Sequence, residues 1–181
     1  MHFHPDTCQK TIQSPWGLLT LAANPKGLCG VWFENQAHFP DTQSWKMNKH
    51  HPALLQAEQV LLNYFQKNWP ANFSAHQLLA TLPLDLSSGS LFQQDVWQAL
   101  MSIPMGHTCS YGELAAAIGR PRAVRAVGTA VGHNPISILI PCHRVLGTQG
   151  QLTGYAGGVW RKQALLTLEN ANFMAKANNK R

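Results

Sequence analysis

Cys142 is the residue in this sequence whose neighbours best suit covalent chemistry. It lies in the run Pro141-Cys142-His143-Arg144, directly after the apolar segment 136–140. A thiol attacks as the thiolate, and adjacent cationic or proton-accepting groups increase the thiolate fraction. The β-branched segment 136–140 predicts a buried strand that carries Cys142 at its end. These surroundings favour a reactive nucleophile over the alternative, an inert buried cysteine.

Glu169 is the acidic residue best placed to support such a centre. It ends the apolar stripe of a helix that the sequence predicts over 160–169. A carboxylate there could orient an imidazole, as in Cys-His-acid systems. The alternative is a solvated carboxylate at a helix end. The other three cysteines, Cys8, Cys29 and Cys109, form no Cys-x-x-Cys pair, so the sequence predicts neither a redox motif nor a four-cysteine zinc ribbon.

The first half of the chain predicts a small α/β domain. Its predicted elements are, in order, a hairpin from 11–13 and 18–22, a strand over 28–33, an amphipathic helix over 52–69 and a closing strand at 82–86. The serine-rich stretch 87–90 is the best linker, so we expect one domain over 1–88 and a second over 89–181.

The second half predicts a mostly helical domain that contains a helix-turn-helix. A helix with apolar residues at 92, 96, 97, 100 and 101 ends before Pro104. Ser110 and Glu113 form a capping box for a short helix that stops at Gly119. Pro121 then suits the first position of another helix, because its missing N–H costs nothing there. This helix would extend from Arg122 to about 132, giving two helices joined by a glycine-containing turn.

One face of that second helix is suited to a nucleic acid. Val124, Val127 and Val131 share the side predicted as core, whereas Arg122, Arg125 and Thr129 share another side with the small residue Ala126. Residues 1–90 carry five basic and five acidic residues, and residues 91–181 carry nine basic and three acidic, so the net charge of +6 lies in the second half. A basic helical domain favours a polyanion as partner.

Composition excludes several other classes of protein. The chain has 181 residues with 45% apolar and 12% charged residues, which is globular and not disordered or coiled-coil. No apolar run approaches the roughly 20 residues that span a bilayer. The first residues show no signal peptide. We therefore expect a cytoplasmic protein without membrane association.

The cysteine segment also carries a family resemblance. Asn134-Pro135 followed by Ile138-Leu139-Ile140-Pro141-Cys142-His143-Arg144-Val145 closely resembles the active-site segment of the O6-alkylguanine-DNA alkyltransferases, or methylated-DNA–protein-cysteine methyltransferases. The resemblance covers nearly the whole chain, through Phe92, Val96-Trp97, Ile103-Pro104, Ser110-Tyr111-Gly112-Glu113, Arg125-Ala126-Val127-Gly128, Gly154-Tyr155, Gly157-Gly158, Lys162, Glu169 and, more weakly, Ser14-Pro15-Trp16-Gly17. It implies a stand-alone enzyme whose N-terminal domain is ribonuclease H-like.

The resemblance implies direct, single-turnover repair of O6-alkylguanine, and also of O4-alkylthymine, in double-stranded DNA without a cofactor. Cys142 would accept the alkyl group irreversibly. His143 would be the base, acting through a water and oriented by Glu169, while Asn134 would brace the active-site turn. Tyr111 would donate a proton toward N3 of the departing guanine.

The resemblance also implies how DNA is held. We expect the protein to be a monomer. The damaged base would be flipped out of the duplex, and Arg125 would fill the gap that it leaves. Tyr155, with the backbone around Val145 and Ala156, would wall the guanine pocket. The remaining predicted DNA contacts are Arg122, Ala126, Thr129 and Arg144.

Two other functions and a metal site stay open at this point. Alkyltransferase-like lesion sensors share the scaffold but lack the reactive cysteine, and a Cys-His hydrolase would turn over. Some relatives bind structural zinc, and here His2, His4, Cys8 and Cys29 are conceivable ligands. Their spacing matches no known ligand set, so we predict no metal site.

Overall fold

The computed structural model describes residues 1–68 and 81–174. The first of these ranges forms a sheet and one helix. Its elements are β1 (Cys8–Ser14), β2 (Gly17–Asn24), β3 (Gly27–Phe33), β4 (Lys46–Met47) and α1 (Pro52–Phe65). The predicted hairpin, third strand and helix are confirmed, but the helix ends at Phe65, before the predicted end at Trp69, which itself lies outside the described residues.

The sheet has the strand order β3-β2-β1-β4. β1 and β2, and β2 and β3, are antiparallel, and β4 pairs parallel with β1. α1 covers one face of the sheet, where Leu54 and Leu61 are fully buried with Leu21 and Phe33. The inward-facing side chains of β1 and the apolar face of α1 therefore pack into one common core.

The outer edge of β3 receives two later parts of the chain. Leu28 donates to the Pro83 carbonyl at 2.8 Å and forms a parallel bridge with Leu84, so the predicted closing strand at 82–86 is reduced to a single bridge. Val31 donates to the Pro135 carbonyl and accepts from the Ser137 N–H, both at 2.9 Å. The edge strand thereby fixes the segment that leads to Cys142.

The second range is mostly helical, as predicted. Its elements are α2 (Leu91–Met101), β5 (Cys109–Ser110), α3 (Tyr111–Ala117), α4 (Val124–Gly132), β6 (Val145–Leu146) and α5 (Val159–Leu168). The capping box of Ser110 and Glu113 is present at the start of α3. α2 packs on α4, where the Trp97 indole donates to the Ala130 carbonyl at 2.8 Å.

Two predictions about the start of α4 are wrong. Pro121 and Arg122 lie in a turn, closed by the Ala123 N–H on the Arg120 carbonyl at 2.9 Å, and the helix begins at Val124. Val124, at its first position, is 39% exposed, and the buried face consists of Val127, Ala130 and Val131 instead.

The segment 136–140 is not the predicted strand. Ile136 makes one bridge to β3, after which the chain turns and Ile138 adopts a φ of 73°, an outlier for a β-branched residue. All five side chains are nevertheless buried. An apolar run indicates that its side chains are buried, but burial alone does not distinguish a turn from a strand.

Candidate active site

Cys142 begins a 3-10 turn, Cys142–Arg144, at the end of a tightly bonded loop. The Asn134 side chain holds this loop: its amide lies 2.8 Å from the Ile140 carbonyl and 3.1 Å from Cys142 Sγ, and its oxygen accepts from the Ile136 N–H at 3.0 Å. Because Asn134 is 3% exposed, these bonds form away from water. The amide therefore fixes both the backbone turn and the sulfur.

Glu169 lies at the centre of a buried polar cluster. Its Oε1 accepts from His143 Nε2 at 2.9 Å and from the Tyr64 hydroxyl at 2.7 Å. Arg144 donates to it from Nε at 2.8 Å and from Nη2 at 2.9 Å, a bidentate pair. Glu169 is 6% exposed, so the alternative of a solvated helix-end carboxylate is wrong.

The charges in this cluster set the protonation states. Burial by itself would raise the pKa of Glu169, but His143 and Arg144 hold that pKa well below its ordinary range. Burial lowers the pKa of His143 despite the nearby carboxylate, so the imidazole is neutral near pH 7. Its Nε2–H donates to Glu169, which leaves Nδ1 as the lone-pair nitrogen. Nδ1 has no hydrogen-bond partner within the described part of the chain.

Cys142 is a thiol at rest. Burial raises its pKa, and the Asn134 amide and the charge of Lys162 only partly offset this. The flanking side chains supply no free positive charge to the sulfur, because His143 is neutral and Arg144 is paired with Glu169. The sulfur needs a base at the moment of reaction, and the Nδ1 lone pair of His143 is a suitable acceptor.

A cavity of about 280 Å³ lies beside Cys142. Its walls come from both halves of the chain: Ala37, His38, Tyr111, Gly128, Val131, Gly132, Cys142, Gly154, Tyr155 and Ala156. The Tyr111 hydroxyl lies 3.0 Å from Thr153 Oγ1, and burial raises its pKa, so it is a protonated donor. Burial also keeps the Tyr155 pKa well above its usual value.

The loop that carries Tyr155 is fastened to the sheet domain. A Cβ at Gly157 would lie 2.8 Å from the Tyr155 ring, so glycine is required for that ring to pack. Arg161 donates to the Gly157 carbonyl at 2.9 Å and to the Trp16 carbonyl at 3.0 Å. Its guanidinium also lies 4.6 Å from the centre of the Phe33 ring. Ala156 is thereby held in the cavity wall.

The predicted DNA-contacting residues divide into two groups. Arg122, Arg125, Ala126 and Thr129 are all exposed, on α4 or in the turn before it. Arg144 is 2% exposed, and besides Glu169 it donates to the Ile103 carbonyl at 2.5 Å. The prediction that Arg144 contacts DNA is therefore wrong, because its guanidinium is buried and hydrogen-bonded to other parts of the protein.

The cavity wall also departs from the prediction at Val145. This residue is fully buried, and its carbonyl accepts a hydrogen bond from Lys162 at 2.5 Å. Val145 thus lies behind the cavity and is not part of its lining.

Two residues of the site were missed from the sequence. Tyr64 belongs to the amphipathic helix α1 and carried no predicted role, although a buried tyrosine hydroxyl usually needs a partner, and here it donates to Glu169. Lys162 was matched to the family without a role. It is fully buried, and burial lowers its pKa to about 8 even though Cys142 acts in the opposite direction.

Across residues 1–68 and 81–174, no group of three or more His, Cys, Asp or Glu side chains is arranged to hold a metal ion. Within the same ranges no helix has the length and apolar character to cross a membrane.

Comparisons with known proteins agree with this geometry. The profile of the 6-O-methylguanine DNA methyltransferase DNA binding domain matches residues 91–171, and that of the ribonuclease-like domain of the same family matches residues 8–80. Among curated relatives, the methylated-DNA–protein-cysteine methyltransferase of Mycolicibacterium paratuberculosis is 47% identical over 92% of this chain and 94% of its own. That of Haemophilus influenzae is 38% identical over 90% of this chain and 86% of its own.

Solved structures give the same result. The crystal structure of Mycobacterium tuberculosis O6-methylguanine methyltransferase has a TM-score of 0.77 and 45% identity, covering 91% of this chain and 93% of that one. A complex of the Mycobacterium tuberculosis protein with DNA also has a TM-score of 0.77, covering 90% and 92%. With these matches across both halves, the chain belongs to the 6-O-methylguanine DNA methyltransferase family.

Proposed function

We propose that this protein repairs O6-alkylguanine, and also O4-alkylthymine, in DNA by transferring the alkyl group irreversibly to Cys142. The observation that carries the proposal is the placement of a buried thiol at a base-sized cavity, beside a neutral histidine that a buried carboxylate orients. The relatives named above are methylated-DNA–protein-cysteine methyltransferases. Lesion sensors without the cysteine do not fit, since Cys142 is present.

The proposed reaction moves one proton and one alkyl group. His143 Nδ1 takes the Cys142 proton through a water, and Glu169 stabilises the imidazolium that forms. The sulfur attacks the alkyl carbon in line, a C–S bond forms, and the bond from carbon to O6 breaks. The Tyr111 hydroxyl donates a proton toward N3, which makes guanine a better leaving group. The imidazolium of His143 then returns its proton through water to the Tyr111 phenolate, so the restored guanine in the DNA gains overall the proton that the sulfur lost.

DNA binding is assigned to the exposed face of α4 and the turn before it. Arg122, Arg125, Ala126 and Thr129 would meet the duplex, with contacts largely independent of sequence. We place the division between the domains near residue 88, between the two family matches, and Ser90 caps the first helix of the second domain. We further propose that the protein acts as a monomer in the cytoplasm.

Stoichiometry tests the proposed function. Wild-type protein mixed with a tenfold excess of duplex containing O6-methylguanine should repair one equivalent and stop, because no residue of the site can remove the alkyl group from the thioether that forms. Cys142→Ser should repair none, and it should still bind the duplex. Cys109→Ser is the matched control, since burial raises the pKa of that half-buried thiol to about 11 and we expect repair to be retained. Continuous turnover would indicate a hydrolase, and repair by Cys142→Ser would remove the nucleophile.

A further inference from the structure

Two histidines from distant parts of the chain stack at the cavity beside Cys142. The ring centres of His38 and His133 are 3.9 Å apart, and their planes differ by 22°. His38 lies in the cavity wall, and His133 is the C-cap residue of α4. The stack therefore joins a loop of the sheet domain to the helix that we assign to DNA.

His38 is held in place by its neighbours in the loop. Gln36 Oε1 accepts from the Phe33 N–H at 2.9 Å and from the Ser137 hydroxyl at 3.2 Å. The Ala37 N–H donates to the Ala156 carbonyl at 2.9 Å. His38 itself has a φ of 62°, a strained conformation for a residue with a side chain. Such strain persists only where the surrounding contacts fix the backbone, and it is concentrated at ligand-binding sites.

His133 is fixed on the other side of the stack. Its Nδ1 lies 2.8 Å from the Thr129 carbonyl, which only accepts, so Nδ1 must carry the proton. The ring therefore cannot rotate without losing this bond. A rigid ring on α4 supports the imidazole of His38, whose own side chain is otherwise exposed.

His38 and Cys142 line the same cavity, so a large group on the carbon that Cys142 attacks shares this space with the imidazole. Ala156 lies in the same cavity wall, and the Ala37 N–H that donates to its carbonyl belongs to the residue before His38. Resting on the proposed function, we infer that His38 is a specificity-determining residue: stacked on His133, it limits the size of the O6 substituent that Cys142 can accept. Methyl fits within this limit, whereas benzyl must displace the imidazole.

Free bases test this inference, because they bypass DNA binding and base flipping. The rate constants for alkylation of Cys142 by O6-methylguanine and by O6-benzylguanine are measured by mass spectrometry, and their ratio is compared among variants. His38→Ala should raise the benzyl-to-methyl ratio about tenfold or more, since a change of even one methylene in a pocket alters discrimination by about 10- to 200-fold. His38→Phe keeps a ring in the wall and should leave the ratio at or below that of wild type.

Two further variants keep the outcome decisive. His50→Ala removes an exposed histidine of the same half of the chain and should leave the ratio unchanged. His38→Asn removes the ring with a residue that tolerates positive φ, so it serves if the alanine variant does not fold. An unchanged ratio in both ring-deleted variants, or an equal loss with both bases, would overturn the inference. Absence of Cys142 alkylation in wild type by both free bases and by duplex DNA containing O6-methylguanine would instead overturn the proposed function.

Discussion

The carboxylate of Glu169 accepts four hydrogen bonds from three buried side chains, two of them from Arg144. Tyr64 reaches it from α1, His143 and Arg144 from the 3-10 turn, and Glu169 itself ends α5. Removing one member of a buried ion pair leaves the other charge uncompensated, which costs about 3–5 kcal/mol. The carboxylate therefore contributes both to stability and to the orientation of the base.

Glu169→Gln should lower the free energy of unfolding by about 3 kcal/mol or more, because Arg144 stays buried without a counter-charge. The rate of alkyl transfer should fall at least tenfold, because a positioned base contributes about 10²–10⁴-fold and the amide of the variant would orient His143 only in part. Urea unfolding and the transfer rate with free O6-methylguanine measure the two effects. Glu34→Gln, at an exposed position, is the control and should change neither. Wild-type values for both would show that the cluster does not support the site.

The contribution of Glu169 to stability should depend on pH in a defined direction. Its pKa in the folded protein is well below the value of about 4.3 expected in the unfolded chain. A depressed carboxyl pKa stabilises the fold above the unfolded pKa, and the stabilisation is lost as pH falls toward the folded pKa. The difference in unfolding free energy between wild type and Glu169→Gln should be constant from about pH 6 to 8 and should shrink below about pH 4. A difference that grows on acidification would contradict the assignment.

Lys162→Met tests how the buried lysine acts on the nucleophile. The positive charge of Lys162 lowers the pKa of Cys142, so its removal should move the pH profile of transfer to higher pH. The wild-type lysine has a pKa of about 8, so the deficit of the variant should be largest below pH 8 and smaller at pH 9. Transfer rates with free O6-methylguanine across this range measure the shift. Lys46→Met, at an exposed position, is the control, and an equal deficit at every pH would indicate a packing role alone.

At the scale of elements, Arg122 and Arg125 are exposed arginines near the start of α4 with different expected roles. Arg125 lies on the helix, and Arg122 lies in the turn before it. Arg125→Ala should lose mainly repair of duplex lesions, because the side chain offsets part of the few kcal/mol that unstacking a base costs. Its rate with the free base should equal that of wild type.

Arg122→Ala is the matched comparison for a phosphate contact. It should weaken binding to damaged and undamaged duplex alike and reduce the salt slope by about one. Binding isotherms at three salt concentrations, together with duplex and free-base rates, separate the two arginines. If Arg125→Ala showed the phosphate pattern instead, insertion by this residue would be refuted.

At the scale of the whole molecule, the sequence predicted β1 to β3 and the helices, because periodicity, capping residues and turn residues are local signals, and the motif around Cys142 indicated the family. It did not predict the course of residues 136–140, where contacts with β3 and Asn134 decide the conformation. Arg144 was assigned to DNA because a sequence shows its charge and not its partner Glu169, which is 25 residues away.

The same reason explains the other omissions. The contributions of Tyr64 and of the loop that contains His38 depend on how the sheet domain packs against the helical one, through the edge of β3 and the Ala37–Ala156 hydrogen bond. These contacts join residues more than 100 positions apart, so local patterns carry little information about them. The active site is consequently a product of both halves of the chain.

The most direct test of the central claim is the mass of the protein after reaction. Incubation with duplex DNA containing O6-methylguanine, followed by intact-mass and peptide mass spectrometry, should show a gain of about 14 Da, one methylene by elementary composition, and this account places it on the nucleophile. We predict one such gain per molecule, confined to the peptide that contains Cys142. An unchanged mass with repaired DNA, or a gain on Cys8, Cys29 or Cys109, would contradict it.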